Sequence, residues 1–431
     1  MQKFFNKVFR LNEHKTNFRT EFLAGMIGFF TVAYIIVVNS SILAEAGVPY
    51  QGAVLATIFI SALGCLIMGF WANAPLILMP GMGINALFAY TLVQGMGLSW
   101  QVALAAVTMS GLLFMILAFT PLAGKLNEAI PLILKQAITV GLGLFLIFLG
   151  LEKGGIVTRG KHAIIAVGDL GDPFVLATLV TLLLTMILVI RKIPGAFLWS
   201  LIIGTVVGVM FGVAGKAGGA SISVAPWSDV LFKADFSGMA SVGFWSAVFT
   251  MTMVIVFETV GLTNGQVRQL KQTEKLPRIL KASSLTAFLS GLFGTSPTIS
   301  ALESGSMFAS GAKTGLATIT TGLFFIASLF LMPVLSFIPN SAIAPILIII
   351  GMSMLQEFKE MDLSNAAETF SALLIIVLIP LTYSIADGIA AGFIAYPILR
   401  AFTKNEERTS PVMYVIAALF LSSIYHTITK K

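Results

Sequence analysis

Long apolar runs separated by short polar ones fill almost the whole chain. They fall at about 21–40, 51–72, 76–93, 99–120, 131–150, 173–190 and 194–214, and then, after a polar stretch with Gly, Asp and Trp227, at about 243–264, 279–295, 297–310, 314–337, 342–356, 366–382 and 385–402. An α-helix rises 1.5 Å per residue, so roughly 20 apolar residues cross the hydrocarbon layer. The pattern predicts an all-α polytopic membrane protein with seven segments in each half. A final run, 411–427, is followed by the terminal TKK of residues 429–431. Because fourteen crossings bring the chain back to its starting side, that run is expected along the interface or in a tail.

Two segments read poorly as helices, and each is third in its half. In PLILMPGMGINALFAYT, residues 75–91, the apolar run is interrupted by Pro80, Gly81 and Gly83. In GTSPTISALESGSMFASG, residues 294–311, Gly294, Pro297 and Gly305 do the same. Proline removes a backbone donor and glycine is entropically poor in a helix, so both segments are expected to be broken. Non-helical backbone at membrane depth persists only where protein covers it or a cavity is lined by it. Matching interruptions in two halves are the strongest sequence pointer to a transporter's midplane site, and an odd count of seven gives the second half inverted topology. Two kinked or re-entrant helices without a ligand are the plainer alternative.

Composition agrees with a membrane protein: 57% of residues are hydrophobic and 10% charged. The net charge of +7 does not describe a nucleic-acid surface, because Lys and Arg sit in short segments between apolar runs. The first twenty residues, the Lys125 segment, Arg191 with Lys192, and QVRQLKQTEKLPRILK at 266–281 are expected in the cytoplasm, after zero, four, six and eight crossings. No cleavable signal pattern is visible, so the N-terminus is expected to remain as a cytoplasmic leader. Cys65 lies in an apolar run and reads as a core thiol. His14, His162 and His426 lie in or beside polar segments, without the spacing of a metal site.

Charge inside apolar segments narrows the chemistry, because a charged group at the bilayer centre is costly and usually marks an ion or substrate path. Glu303 stands among Ser296, Thr298 and Ser300; a half-helix starting near 298 would put it close to the free N–H groups. Glu258 follows thirteen mostly apolar residues from Trp245. It is either a structural partner for a buried polar group or a proton or substrate ligand, and two acids in one low-dielectric cavity would couple their titrations. Asn85, just after the PGMG break, offers donors and acceptors on one planar amide, which suits a heterocycle. Phe88 would stack on such a ring or simply pack. Asn39 caps its helix or lines a cavity, and Asp387 is expected to cap the helix that follows it.

At these residues the sequence resembles the nucleobase/ascorbate transporter family, in particular its AzgA-like branch of adenine, guanine and hypoxanthine permeases. The similar stretches are RTEFLAGMIGFFTVAYIIVVN (19–39), PGMGINALFAYT (80–91), GLSWQVALAAV (97–107), FETVGL (257–262), GTSPTISALES (294–304), KTGL (313–316) and PLTYSIADGIAAGFIAY (380–396). The resemblance implies fourteen segments in two inverted repeats, with short strands leading into half-helices in segments 3 and 10. It implies a leader at 1–19, a first repeat at 20–214 (20–120 core, 131–214 gate) and an extracytoplasmic connection at 215–242. A second repeat follows at 243–402 (243–337 core, 342–402 gate), then an interfacial segment or tail at 403–431. The implied substrate site lies between core and gate and carries over to Glu258, Glu303, Asn85, Phe88, Ser300, Ala301 and Leu302, joined by Thr31 and Tyr34 of the first segment. The branch usually has Asp where this chain has Glu258, and TSTTTSYIES where it has TSPTISALES, so a hydroxyl is lost at Ile299 and an aromatic at Ala301; an aromatic is also common at Leu87.

The leading expectation is a nucleobase importer for a purine, driven by proton symport through Glu258 or Glu303, in the cell membrane with the N-terminus in the cytoplasm. No cofactor beyond the coupling proton and no metal or nucleic-acid partner is expected, and the chain is free to pair as a homodimer through its gate helices. A xanthine, uracil or other small-heterocycle permease is the near alternative. An anion exchanger or channel of the same seven-plus-seven fold is the far one, disfavoured because two carboxylates converge while Lys313 falls at a cytoplasmic end. A membrane enzyme would need a nucleophile with its base, a metal cluster or a cofactor motif, and none is apparent.

Overall fold

The computed structural model describes residues 2–120, 129–160, 163–213, 223–335, 337–403 and 410–429, without the side chains of 2–4 and 423–429. Lys125 and His162 therefore lie outside the described residues, as does the side chain of His426. The elements in order are α1 (Gln2–Phe9), α2 (Phe18–Val32), α3 (Ile35–Glu45), α4 (Tyr50–Ile67), β1 (Leu78–Pro80), α5 (Met82–Ala86), α6 (Trp100–Phe119) and α7 (Leu132–Lys153). They continue with β2 (Val157–Thr158), β3 (Ala166–Val167), α8 (Pro173–Ile190), α9 (Ala196–Met210), α10 (Val242–Leu270) and α11 (Leu276–Phe293). The last are β4 (Thr298–Ser300), α12 (Ser304–Ala309), α13 (Gly315–Ala327), α14 (Met332–Leu335), α15 (Asn340–Met354), α16 (Ala366–Thr382), α17 (Ile385–Ala401) and α18 (Pro411–Thr429).

Among the described residues eight helical stretches are long and apolar enough to cross a membrane, from Phe18–Glu45 to Asn340–Glu360. The difference from fourteen expected segments has local causes. Segments 3 and 10 are interrupted, α9 and α16 have 15 and 17 residues, and α11 begins with the polar LPRILK. The helix starts follow capping rules: Asn17 accepts from the Thr20 N–H, Ser241 from Phe244, and Asp172 from Phe174 with Pro173 at the first helical position. Asp387 does not cap α17; Ser384 does, accepting from the Asp387 N–H at 3.3 Å.

Helix α8 shows how the apolar sequence is divided between lipid and protein. Leu176, Val180, Leu183, Ile187 and Ile190, spaced three or four apart, are exposed on one stripe. The opposite stripe holds Ala177, Thr178, Thr181 and Thr185, all packed away. Small and hydroxylated residues let membrane helices approach, and each hydroxyl is satisfied: Thr181 donates to the Ala177 carbonyl at 2.7 Å, and Thr185 contacts Ser200 of α9 at 2.6 Å. At the closest approach a Cβ on Gly315 would stand 2.1 Å from the Gly69 carbonyl oxygen, so α13 can reach the end of the α4 segment only with glycine there.

The strongest packing falls into two sets. α6 packs on α11 and α10, and α13 on α2 and α4; separately, α7 packs on α15 and α16, α8 on α9 and α15, and α16 on α17. The last helix, α18, lies against α17 and α10, with Phe420 ringed by Phe249 at 4.8 Å and Phe393 at 5.8 Å. The stretch read as a cytoplasmic leader likewise has structure: α1 is helical, and Phe9 packs with Leu11, Leu316 and Ile319.

Candidate functional site

The two interrupted segments meet. β1 and β4 pair antiparallel, with Leu78 opposite Ser300, Met79 opposite Ile299 and Pro80 opposite Thr298. The ladder is extended by Gly81 N–H donating to the Pro297 carbonyl at 3.2 Å and Ala301 N–H donating to Ile77 at 2.8 Å. Side chains take the remaining groups: Ile77 N–H donates to Ser304 Oγ at 3.0 Å, and Thr298 N–H to Ser290 Oγ at 3.1 Å. Buried backbone groups must be paired, and in a bilayer water does not substitute. Each break therefore heals the other, which explains why the interruptions occur together. Gly294 closes α11 with φ +90°, a left-handed turn that glycine adopts without strain, and it releases the chain into β4.

The first break presents Asn85, fully buried on α5. Ser296 Oγ lies 2.5 Å from Asn85 Oδ1 and 3.2 Å from Asn39 Oδ1, while Asn39 Nδ2 donates to Thr57 at 2.7 Å and Thr295 at 3.0 Å. One hydroxyl proton satisfies one of the two oxygens, so the second contact calls for an Asn85 amide turned to offer its NH2. Asn39 is thus a mid-helix cross-link between α3, α4 and the entry to β4, and does not cap a helix end. Phe88 is fully buried in the π-helical continuation Leu87–Gly95.

The second break presents Glu303. The helix expected from about 298 begins only at Ser304, because residues 298–300 are strand; Glu303 occupies the N-cap position without a side-chain capping bond. Its Oε1 accepts from the Tyr34 hydroxyl at 2.5 Å. Tyr34 sits in the turn between α2 and α3, fully buried, with its ring edge-on to Phe197 of α9 at 5.0 Å. Leu302 is 54% exposed although its neighbours Ala301 and Ser304 are buried, so it faces open space beside the acid. Ser300 and Ala301 are fully engaged inside the protein: Ser300 Oγ donates to Gln266 Oε1 at 2.6 Å, and Gln266 Nε2 donates to the Ala301 carbonyl at 2.7 Å.

Glu258 lies on α10, half-buried, and its Oε2 is buried without a hydrogen-bond partner among the described residues. Next to it Phe257 faces Phe393 of α17, with ring centroids 6.3 Å apart. Glu258 and Glu303 are not joined by a hydrogen bond among the described residues; what ties α10 to the second break is Gln266, eight residues beyond Glu258. Thr31 is half-buried, and its hydroxyl donates to the Ile27 carbonyl at 2.8 Å, within its own helix. Among the described residues no group of three or more His, Cys, Asp or Glu could hold a metal ion.

The site therefore brings together Asn85, Tyr34, Glu303, Ser300 and Ala301 around the paired strands, with Glu258 on the adjoining helix. Sequence reasoning missed Gln266, assigned to a cytoplasmic basic stretch, although α10 runs on to Leu270 and Gln266 is 5% exposed. It also missed Ser296 as the bridge between two amides. A second polar cluster was not foreseen at all: Lys153 of α7 pairs with Glu45 of α3, Tyr90 donates to Glu45 at 2.6 Å, and Tyr383, which closes α16, donates to Glu152 at 2.8 Å.

Known proteins resemble this chain in sequence and in fold. Residues 19–391 match Xan_ur_permease, described as a permease family. The chain is 47% identical to the nucleobase transporter PlAzg2 of Paenibacillus larvae subsp. larvae over 89% of its own length and 78% of that protein's. It is 37% identical to the guanine/hypoxanthine permease PbuO of Bacillus subtilis (97% and 100%) and 32% identical to the adenine permease AdeP of Escherichia coli (98% and 96%). Among solved structures, the transmembrane domain of the cyanobacterial bicarbonate transporter BicA superposes with TM-score 0.64 at 15% identity, covering 87% of this chain and 97% of that one. Murine Slc26a9, an anion transporter, gives 0.63 at 12% identity, covering 90% and 69%; at such identities the likeness is one of fold. With the family match spanning most of its length and relatives above 30% identity aligned nearly end to end, the chain belongs to the permease family its motifs resemble, the nucleobase/ascorbate transporters, and is a transporter and not an enzyme.

Proposed function

We propose that this protein imports a purine nucleobase by proton symport with alternating access. The observation that carries the reading is the meeting of the two breaks in one short antiparallel sheet, with the amide of Asn85 just beyond the end of β1, the carboxylate of Glu303 just beyond the end of β4, and Glu258 on the neighbouring helix. A purine must shed hydration to cross a bilayer, and amide and carboxylate groups can replace the lost hydrogen bonds. Relatives named as nucleobase, guanine/hypoxanthine and adenine carriers favour that substrate class over an anion, and so do two acids without a facing cation among the described residues.

The architecture is read as fourteen segments: the eight long ones, the shorter α9, α11, α16 and α17, and the two interrupted ones. The packing pairs exchange under a shift of seven segments, as an inverted repeat requires: α6 on α11 corresponds to α13 on α4, α2 on α13 to α10 on α6, and α7 on α16 to α15 on α8. The first packing set is the core and the second the gate. Site residues lie on the core face with gate side chains opposite: Phe197 against Tyr34, Phe393 against Phe257, and Leu142 under Gly83. With the N-terminus in the cytoplasm of a cell-membrane protein, Glu45 and Lys153 lie at the outer ends of their helices, and their ion pair joins core to gate on that side.

Glu258 is the proton carrier in this scheme. Its Oε2 has no donor facing it, whereas Glu303 has the Tyr34 hydroxyl. Protonation removes a charge that core–gate closure would otherwise bury, and coupling arises because proton and purine favour the same closed state. Uptake of labelled adenine, guanine, hypoxanthine, xanthine and uracil, each competed by the others, should select a purine and collapse when the proton gradient is dissipated. Glu258→Gln should retain purine binding and lose accumulation; accumulation against a gradient by that variant would remove Glu258 from the scheme.

A further inference from the structure

We propose that Gln266 is a positioning residue for the substrate site, a clamp from α10 that fixes the strand-to-helix junction carrying Glu303. Gln266 is buried and uses both ends of its amide: Nε2 donates to the Ala301 carbonyl at 2.7 Å and Oε1 accepts from Ser300 Oγ at 2.6 Å. The Ala301 carbonyl also accepts from Ser304 N–H at 3.1 Å, and the Ala301 N–H is taken by Ile77 at 2.8 Å. Every polar atom of the backbone at Ala301 is thus committed, and its carbonyl is held from two sides. Glu303 follows two residues later and is held from the far side by Tyr34. The carboxylate sits between two fixed points, one on α10 and one at the α2–α3 turn.

Among side chains of this length, only glutamine offers a donor and an acceptor on neighbouring atoms at every pH. A methionine would fill the space and make neither bond. An ionised glutamate would keep the Ser300 bond and face the Ala301 carbonyl with a second acceptor, while a protonated glutamate restores the donor. A misplacement of about 1 Å at a site of this kind weakens every contact the substrate makes there. Because Gln266 lies on the same helix as Glu258, the clamp also fixes the spacing between the helix of the proposed proton carrier and the loop of the substrate carboxylate.

The inference rests on the reading of this site as a purine site, and its test separates the two. Initial uptake rates are measured for the purine that wild type takes up best, per folded carrier, between pH 5 and pH 8. Gln266→Met should raise KM at least tenfold at every pH. Gln266→Glu should approach the wild-type KM at the acid end and the Met variant at the alkaline end, a pH dependence that persists when its KM is divided by wild type's and is absent from the Met variant's ratio. A wild-type KM in the Met variant, a reduced maximal rate at unchanged KM, or a Glu variant parallel to wild type at all pH values would each overturn the clamp. Were wild type to carry no purine, the transport reading would fall, but the clamp would still be tested by a thiol reagent on Leu302→Cys, since the native Cys65 is buried. Its labelling rate should shift several-fold when Gln266→Met is added, and an unchanged rate would overturn the clamp without reference to substrate.

Discussion

The interruption in the first half is sealed: Leu78–Pro80 and every residue from Gly81 to Leu92 are buried, and its polar side chain is a neutral amide met by the Ser296 hydroxyl and the Met82 thioether. The one in the second half is partly open: Leu302 is exposed, and Glu303, Gly305 and Ser306 are only half-buried around a carboxylate met by one phenol. The backbone solution is shared, since one ladder serves both, so the difference lies in the side chains. A neutral amide can be closed off completely once its few hydrogen bonds are supplied inside the protein. A carboxylate has about four acceptor positions, and Tyr34 fills one, which leaves the others for water, a proton or a ligand. On the proposed reading, the first break is scaffold with one recognition group, and the second is the part that meets the substrate.

Exchanging the chemistry of the two breaks should break that division, beginning with the sealed side. Asn85→Asp places a carboxylate where Asn85 is fully buried and its described neighbours are a serine hydroxyl and a thioether, with no cation. An uncompensated buried charge of this sort costs about 3–5 kcal/mol. A large fall in the thermal midpoint of the purified protein at neutral pH, partly recovered in acid, is expected. A variant as stable as wild type would mean that the first break is wetter than its burial indicates.

Neutralising the open side should cost less stability and more function. Glu303→Gln keeps the shape and removes the charge, so hydrogen bonds to a charged acceptor become neutral ones; these differ by about 1–2 kcal/mol each, and two of them weakened amount to a purine affinity lower by roughly thirty- to seven-hundredfold. Equilibrium binding followed by thermal stabilisation reads this directly. Unchanged affinity would move the substrate away from Glu303 and leave the carboxylate with a purely structural tie to Tyr34.

The breaks themselves were legible because proline and glycine act locally, so Pro80, Gly81 and Pro297 announce them without knowledge of the partner strand. Glu303 and Asn85 were legible because a polar side chain in an apolar run stands out. Tyr34 entered only through resemblance, since nothing local marks a tyrosine as the partner of an acid 269 residues away. Gln266 was hidden by its neighbours: Arg268, Lys271 and Lys275 give the stretch the look of a cytoplasmic loop, yet α10 continues through it and turns this one amide inward. Asp387 misled for a related reason, since two capping residues stood three apart and only backbone geometry decides between Ser384 and Asp387. Pairings across the two halves depend on the sheet that joins them, and the sheet is a consequence of the fold and not of either segment.

The weakest test concerns the polar end where both breaks are anchored. Asn73, with φ +46°, is the hinge before the first break: its Oδ1 accepts from Gly315 N–H at 2.8 Å, its Nδ2 donates to the Phe9 carbonyl at 3.0 Å, and its own carbonyl accepts from Lys275 Nζ at 2.5 Å. Lys275 lies in the turn between α10 and α11, outside the spanning segments, and burial pushes its ammonium down from 10.5 to about 8. Below about pH 8 both folded and unfolded chains hold this proton and the cost of burying the charge is constant. Between about 8 and 10.5 the unfolded chain holds it more tightly, so this group's contribution makes stability rise with pH, and above that range the slope vanishes. Lys275→Met should lack that rise. The difference between the wild-type and variant thermal midpoints should therefore drift in favour of wild type by a small amount as pH increases from 8 to 10, because other titrating groups cancel in the subtraction. A flat difference would show that Lys275 is solvated where it holds Asn73, and that the anchor of the first break depends on Gly315 and Phe9 alone.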